Sequence, residues 1–498
     1  MADAVLEHRT YGNWRRVQSV GLFGLGLAGT VLLFAGLVLT VIAMMLSLWL
    51  ALACAVVLGA ALAPLLVRDA HGRNLLQRAA ARLSWAKGRA AGQHLYRSGP
   101  LSRVPKGKCS LPGVLAQMTA TEAKDAYGRP FALLVHPWVG HASVVLTCAP
   151  DGAALVDEAT VDSWVAHWGA WLAALANEPG LVGVEVVVES APGSAVRLRQ
   201  EVYGHMAPDA HPLSVAVMRE AVEAAPVGSA SITCRIALTW SMASRAEGAK
   251  RRGADEMALE IGQRLPALAS ALAATGAGPA RAMTVAEVAA AVRVAYDPAV
   301  AELVEDLGPE AAGTDWADAG PVGGQEAWDH YRHDGAVSVS WVMTEAPRGQ
   351  VFSSVLSSLL APHPDIARKR VALAYRPYGT AAAVRVVESD RRDAIFAASG
   401  RRAGRARDAL SVKAAERSAE EEATGAGVVR FAMVVTATVT DAAGLGLASS
   451  AVGTLAATAR VRLRKAVGAQ SATFAASLPL GLVTSAHLRA PQALREAM

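Results

Sequence analysis

The stretch GLFGLGLAGTVLLFAGLVLTVIAMMLSLWLALACAVVLGAALAPLLV, residues 21–67, carries no charged side chain, and the charge-free gap runs from Arg16 to Arg68. A bilayer core of roughly 30 Å is crossed by about 20 apolar helical residues, so this run suffices for two crossings joined by a short turn. One helix of that length would overshoot a membrane beyond what tilt absorbs. In lipid, backbone polar groups must pair within the segment, which makes helix the natural state of each half. The expected spans are residues 21–45 and 46–67, with the turn near Met44 to Ser47 and Trp49 placed for an interface. Arg9, Arg15 and Arg16 precede the gap, Arg68, Arg73, Arg78 and Arg82 follow it, and the turn has no Lys or Arg. The positive-inside bias then predicts a multi-pass protein of the cell (plasma) membrane with both termini cytoplasmic. A cleaved signal peptide fits poorly, because the apolar region is too long and no small-residue cleavage site precedes the return of charge.

Within the first span, Gly24-Leu25-Gly26-Leu27-Ala28-Gly29 matches G-x-G-x-x-G. A dinucleotide site needs that motif between a strand and a helix, with an acid about 20 residues later. Here the next acid is Asp69, and the motif sits in an apolar span. Gly21, Gly24, Ala28 and Gly29 instead offer a small-residue face for close packing of another helix. The abundance of glycine in such helices is the plainer account.

The formal charge of +5 is unevenly distributed. Residues 68–108 hold ten Lys or Arg against Asp69, a net +9; residues 1–16 contribute +1, and the remainder sums to −5. The basic residues are therefore juxtamembrane, where each gains about 1 kcal/mol near anionic lipid. Leu75, Leu76, Ala79, Leu83 and Ala86 recur there at helical spacing, with Arg73, Arg78, Arg82, Lys87 and Arg89 on other faces. This suits a helix lying on the membrane surface. A solvated helix whose charges only fix topology stands beside that reading. Direct nucleic-acid binding is not expected. Cys54, Cys109, Cys148 and Cys234 are too dispersed for a metal motif, and the three outside the spans are expected to be reduced.

Beyond a turn-rich linker around residues 97–113, short apolar runs alternate with helical patterns. Strands are expected at 131–136, 143–147, 181–188, 231–240, 337–343, 370–375, 428–440 and 459–467. Helices are expected at 161–176, 215–223, 254–275, 351–360, 381–424 and 445–457, and Thr284-x-x-Glu287 marks a capping box for another. The last strand, helix and strand read as a βαβ unit. The fold class is thus a membrane α-helical hairpin followed by an α+β cytoplasmic region of mixed strands and helices, in two sub-domains. The expected divisions are an anchor at 1–67, a basic juxtamembrane helix and linker at 68–124, and α+β sub-domains at 125–300 and 301–498.

The tail from residue 428 through Arg462-Leu-Arg464 to Phe474-Ala-Ala-Ser-Leu-Pro-Leu-Gly481 resembles the end of the amino-terminal domain of type IV secretion and conjugation ATPases, the CagE/TrbE/VirB group. The opening TYGNWRR, residues 10–16, followed by an apolar hairpin, is similar to PrgI-like inner-membrane subunits of the same machines. The combination resembles a membrane protein of actinobacterial conjugation-like elements. It implies a subunit without its own motor, partnered by a conjugation-type ATPase, other secretion-complex membrane proteins and membrane lipid, with self-association open. An EccE-like component of type VII secretion is the nearest alternative, and a membrane-tethered enzyme of another fold is a third.

The chemistry visible in the sequence agrees with a non-enzymatic role. A phosphate loop needs G-x-x-x-x-G-K-[ST], and the only Gly-Lys dipeptide, Gly107-Lys108, is followed by Cys109 and preceded by Ser102 where the first glycine belongs. In Trp328-Asp-His330-Tyr-Arg-His333-Asp334, the two histidines would share a helix face and could ligate a metal, though an exposed helix end explains them as well. His363 and Asp365 lie in a proline-bounded loop before the basic strand at 368–370. The pairs Ser353-Ser354 and Ser357-Ser358 lack a nucleophile-elbow context. Trp164, Trp168 and Trp171 suit core or interface anchors. No catalytic, cofactor-binding or metal-ligating residue is assigned; the assigned positions are Gly21, Gly24, Ala28 and Gly29 for helix packing, and Arg15, Arg16, Arg68, Arg73, Arg78 and Arg82 for topology and anionic lipid.

Overall fold

The computed structural model describes residues 9–12, 14, 26–67, 69, 72–100, 102, 107–150, 152, 155–192, 199, 202–207, 209–224, 230–244, 251–310, 312–347, 349–399 and 406–488. Helices α1 (Gly26–Leu46) and α2 (Leu48–Leu66) are long and apolar enough to cross a membrane. Only 11% of each span is buried, so neither is a core helix of the domain that follows. Ser47 alone separates them. They touch closely at Gly36, where a Cβ would come within 2.2 Å of Leu58 Cδ1. A third helix, α3 (Leu75–Ala90), opens on a capping box in which Asn74 and Gln77 exchange side-chain and backbone bonds.

The rest is built on one antiparallel sheet of thirteen strands among the described residues. In chain order these are β1 (Leu95–Arg97), β2 (Thr119–Lys124), β3 (Pro130–His136), β4 (His141–Cys148), β5 (Leu181–Pro192), β6 (Ala230–Ser241), β7 (Ala280–Ala282), β8 (Gly323–Glu326), β9 (Tyr331–His333), β10 (Ala336–Glu345), β11 (Arg368–Pro377), β12 (Val429–Val439) and β13 (Arg462–Lys465). The helices are α4 (Glu158–Leu175), α5 (Pro212–Ala224), α6 (Ala254–Ser270), α7 (Val285–Tyr296), α8 (Ala301–Leu307), α9 (Ser357–Leu360), α10 (Thr380–Ser399), α11 (Ala406–Ala423), α12 (Leu445–Thr458) and α13 (Gln470–Ala475).

The sheet is a topological duplication. Outward from its centre one half runs β5, β6, β4, β3, β2 and the other β11, β12, β10, β9, β8, with β7 added to β4 and β13 to β10. Strands β5 and β11 join the halves antiparallel, as a pseudo-two-fold requires. Residue positions repeat as well. Ser143 bonds Thr239 across β4 and β6 at 2.9 Å, and Ser338 bonds Thr438 across β10 and β12 at 2.7 Å. Matching those pairs puts Glu185 and Arg370 at equivalent places, with the paired Val187 and Ala372 on the dyad.

Strand alternation sends Ala142, Val144 and Leu146 to one side and Ser143 and Val145 to the other. Both sides are covered, which is why these strands read as nearly continuous apolar runs. On the outer face, α4 and α6 cover the first half around Trp171, Ile236 and Ile261, while α9 and α12 cover the second around Trp341, Leu359 and Val452. The inner face forms a shared core in which Leu134 and Val145 meet Tyr331, Tyr296 and Phe474. Strands β3 and β9 stand far apart in the sheet order, so a common core requires the sheet to curl around α7 and α13.

Several sequence expectations change here. Residues 95–124 contribute two edge strands, so the segment is more than a linker. The expected βαβ unit is split: β12 and β13 both pair antiparallel with β10, on opposite sides of it. The long helical stretch is two helices, α10 and α11, packed on each other. Residues 328–334 form a turn and strand β9 in place of a helix, because Tyr331 and His333 alternate inward with Arg332 outward. The capping box at Thr284 and Glu287 is present and opens α7.

Candidate functional site

The junction between the hairpin and the sheet is built from both flanks of the apolar spans. Before α1, Tyr11 forms an antiparallel bridge with Val351, each amide donating to the other's carbonyl at 2.8 Å. The Tyr11 hydroxyl donates to Asp162 Oδ1 at 2.6 Å, and Trp14 meets Phe431 edge-on at 6.5 Å. Burial first, then that bond, pushes the Tyr11 phenol up to about 12. After α2, β1 adds to the outer edge of β8, pairing Leu95 with Gln325 and Arg97 with Gly323. Ser98 continues the seam by donating to Pro321 O at 2.5 Å. Trp85 of α3 stands edge-on to Trp328 at 5.3 Å, in the β8–β9 turn, and Arg89 lies over Trp85. Both flanks therefore rest on the same domain: β1 on the β8 edge of the sheet, and the segment before α1 between Val351 and Phe431 of the second half and α4 over the first.

The residues assigned from sequence are only partly brought together. Gly21, Gly24, Arg15, Arg16 and Arg68 lie outside the described residues. Ala28 falls in the first turn of α1, and Gly29 beyond it is buried. Gly36 meets α2 as well, and its signal, a lone glycine opposite a leucine, is indistinct in a glycine-rich run. Arg73 pairs with Asp69 at 3.5 Å, while Arg78 and Arg82 project from α3 into solvent.

A second polar concentration lies on the inner face, under the segment that follows α13. Strand alternation places Glu185 and Glu189 inward, and Arg370 answers them from β11. Gly481 N donates to Glu185 Oε2 at 3.0 Å, and Thr239 Oγ1 donates to Gly481 O at 2.8 Å. Burial pushes the Glu185 carboxyl well above its usual range. Glu189 is also desolvated, but Arg368, Arg370 and Arg235 bring it below that range. It bonds Arg368 and stands 3.8 Å from Arg370, which is buried over the Phe474 ring. Burial lowers the Arg370 guanidinium to about 10. Lys369, on the other face, donates to Ala361 O, and burial lowers it to about 8.

His333 belongs to this interior as a structural group. Its Nδ1–H donates to Tyr296 O at 2.5 Å, so Nε2 accepts from Ser338 Oγ at 2.7 Å. Burial lowers it to about 3, which keeps the ring neutral. His330 is turned to Asp329 at 2.9 Å, outside. The two histidines thus part company, and no group of three or more metal-ligating side chains occurs among the described residues. Trp171 is buried, Trp168 stacks on it at 5.0 Å, and these two belong to the core, while Trp164 is half-buried against Gly276. A surface cavity of about 330 Å³ lies beside Tyr11. Within its lining Tyr11 bonds Asp162 and Arg417 pairs with Glu421 at 3.0 Å, so these groups engage one another.

Residues 18–77 match a family model described as a domain of unknown function, DUF8461, which spans the hairpin and its basic edge. No curated protein matches the chain.

Proposed function

We propose that the chain is a non-enzymatic integral membrane subunit of a type IV secretion or conjugation-like complex, which presents the curled sheet at the cytoplasmic face as a dock for a separate ATPase. The observation that carries this reading is the double attachment of the hairpin. Residues before α1 and after α2 rest on the same domain, the arrangement a twice-crossing anchor with both ends on one side needs. A single flexible tether would leave the domain free to tumble; two attachments hold it at a fixed place beside the bilayer. The juxtamembrane excess of positive charge supports a cytoplasmic side for that domain. The most polar interior groups, Glu185, Glu189 and Arg370, are sealed under the segment after α13, which suits a rigid scaffold.

Co-purification of the full chain from its native membrane in mild detergent tests the proposal. A conjugation-type ATPase or another secretion subunit among the stoichiometric partners is expected. Recovery of the chain alone, or with an FtsK-like ATPase of type VII secretion, would overturn it.

A further inference from the structure

We infer that α3 is a bilayer-contacting bracket: its exposed leucine stripe enters the interface of an anionic phospholipid membrane while its opposite face holds the sheet. This deepens the proposed function and rests on the reading of α1 and α2 as membrane spans. The half-buried residues of α3 are Ala81, Trp85 and Gly88, which share one face and seat on the domain through the Trp85–Trp328 contact. At about 100° per residue, Leu75, Leu76 and Leu83 with Ala79, Ala86 and Ala90 occupy the diametrically opposite face. Those leucines are 42%, 57% and 67% exposed, in a helix that contains no buried residue.

Charge picks the occupant. Arg78 and Arg82 border the leucine stripe on one side and Lys87 on the other, and no acid occurs within α3. Leucine between two basic margins matches acyl chains below a layer of phosphates. Location agrees, since α3 begins shortly after the apolar helix α2 ends at Leu66. The seat behind it is firm. Gly468 donates to Trp328 O at 2.7 Å, and a Cβ at Gly468 would strike the Trp328 ring at 2.6 Å. β1 then pairs with β8 a few residues beyond. Lipid contact at α3 would thereby fix how the β8 edge of the sheet stands against the membrane.

Hydrogen exchange of the full chain in lipid nanodiscs tests this, comparing phosphatidylglycerol with phosphatidylcholine. Residues 75–90 should exchange about tenfold more slowly in the anionic discs, with residues 119–148 the same in both. The double variant Leu76→Glu, Leu83→Glu should abolish the difference, and Arg78→Gln with Arg82→Gln should shrink it. Equal exchange in both lipids overturns the inference, as does slowing by duplex DNA in detergent that matches the effect of anionic lipid. Free exchange across residues 30–60 in the discs would instead show that the spanning reading itself has failed.

Discussion

Gly481 is the point at which the segment after α13 is fastened to the sheet, and replacing it with alanine should release that segment. Its backbone is left-handed, at φ 68°. A Cβ there would lie 2.3 Å from Thr239 Oγ1 and 2.8 Å from Ser143 Oγ, both on short side chains fixed in central strands. A non-glycine residue in that conformation costs about 1 kcal/mol. Moving Thr239 away breaks its bonds to Ser143 and to Gly481 O, roughly 1 kcal/mol each. The shift also draws the Gly481 amide from Glu185, leaving a buried carboxyl short of a donor. Together these effects come to about 3 kcal/mol, or a little over a hundredfold in a local opening equilibrium.

Hydrogen exchange of the detergent-purified chain reads this directly, because a local opening at 470–488 is seen apart from global unfolding. Gly481→Ala should speed exchange of that segment by about a hundredfold, with residues 254–270 unaffected. Gly446→Ala is the control: nothing stands within 4 Å of its Cβ and it lies in α12, so it should be neutral or slightly stabilising. Thr239→Ala combined with Gly481→Ala removes the obstructing oxygen and should recover part of the loss. Unchanged exchange at 470–488 in Gly481→Ala would falsify the clamp.

The buried carboxylates should separate by charge state. Glu185→Gln should be tolerated in thermal melts, since burial already favours the neutral acid, whereas Glu189→Gln strands Arg370 without a counter-charge and should cost about 3–5 kcal/mol. Acid should loosen residues 484–488. His141 and His487 are lowered from 6.5 to about 4, chiefly by burial and then by neighbouring histidines, so the unfolded segment binds more protons. Their stabilisation is present above pH 6.5 and lost as pH falls toward 4; allowing for solvent screening at half-exposed His487, about 2 kcal/mol should go between pH 7 and 5. An exchange profile flat across that range would contradict the assignment. Gly36→Leu should separate α1 from α2 and lower the yield of folded protein in detergent, while Gly59→Leu, with open space at its Cβ, should not.

What was legible in the sequence was local. The hairpin shows in an uninterrupted apolar run, the α7 capping box in two residues three apart, and the Val-rich strands in their own composition. The fate of residues 328–334 was not, because an alternation of Tyr331, Arg332 and His333 is too short to separate from one helical turn, and only the cover by Tyr296 and Phe474 decides it. The triplet at Arg368 to Arg370 reads from sequence only as a basic strand. Its counter-charge, Glu189, is distant in sequence and becomes its neighbour only through the β5–β11 pairing. The duplication itself is carried by register and by two Ser–Thr pairs, which a scan for repeated sequence passes over.

The duplication sharpens the functional argument, because its two halves differ at the edge. In the second half the outer strand β8 receives β1 and, beside it, the turn that holds α3; in the first half the corresponding strand β2 ends the sheet among the described residues. An ancestral unit with equivalent edges would have two equivalent places to add a strand. Here the chain after α2 occupies one, while Tyr11 bridges Val351 and bonds Asp162 of α4, between the two halves. The asymmetry leaves the outer edge of β2 without an added strand among the described residues. If the chain docks a cytoplasmic partner as proposed, the open β2 edge is the place for it, so variants there should weaken partner binding without disturbing membrane insertion. Pull-down of the proposed ATPase partner by chains carrying Thr119→Arg or Thr121→Arg, exposed side chains of β2, with insertion checked by carbonate extraction, separates the two roles. Loss of insertion with binding intact would reverse the assignment.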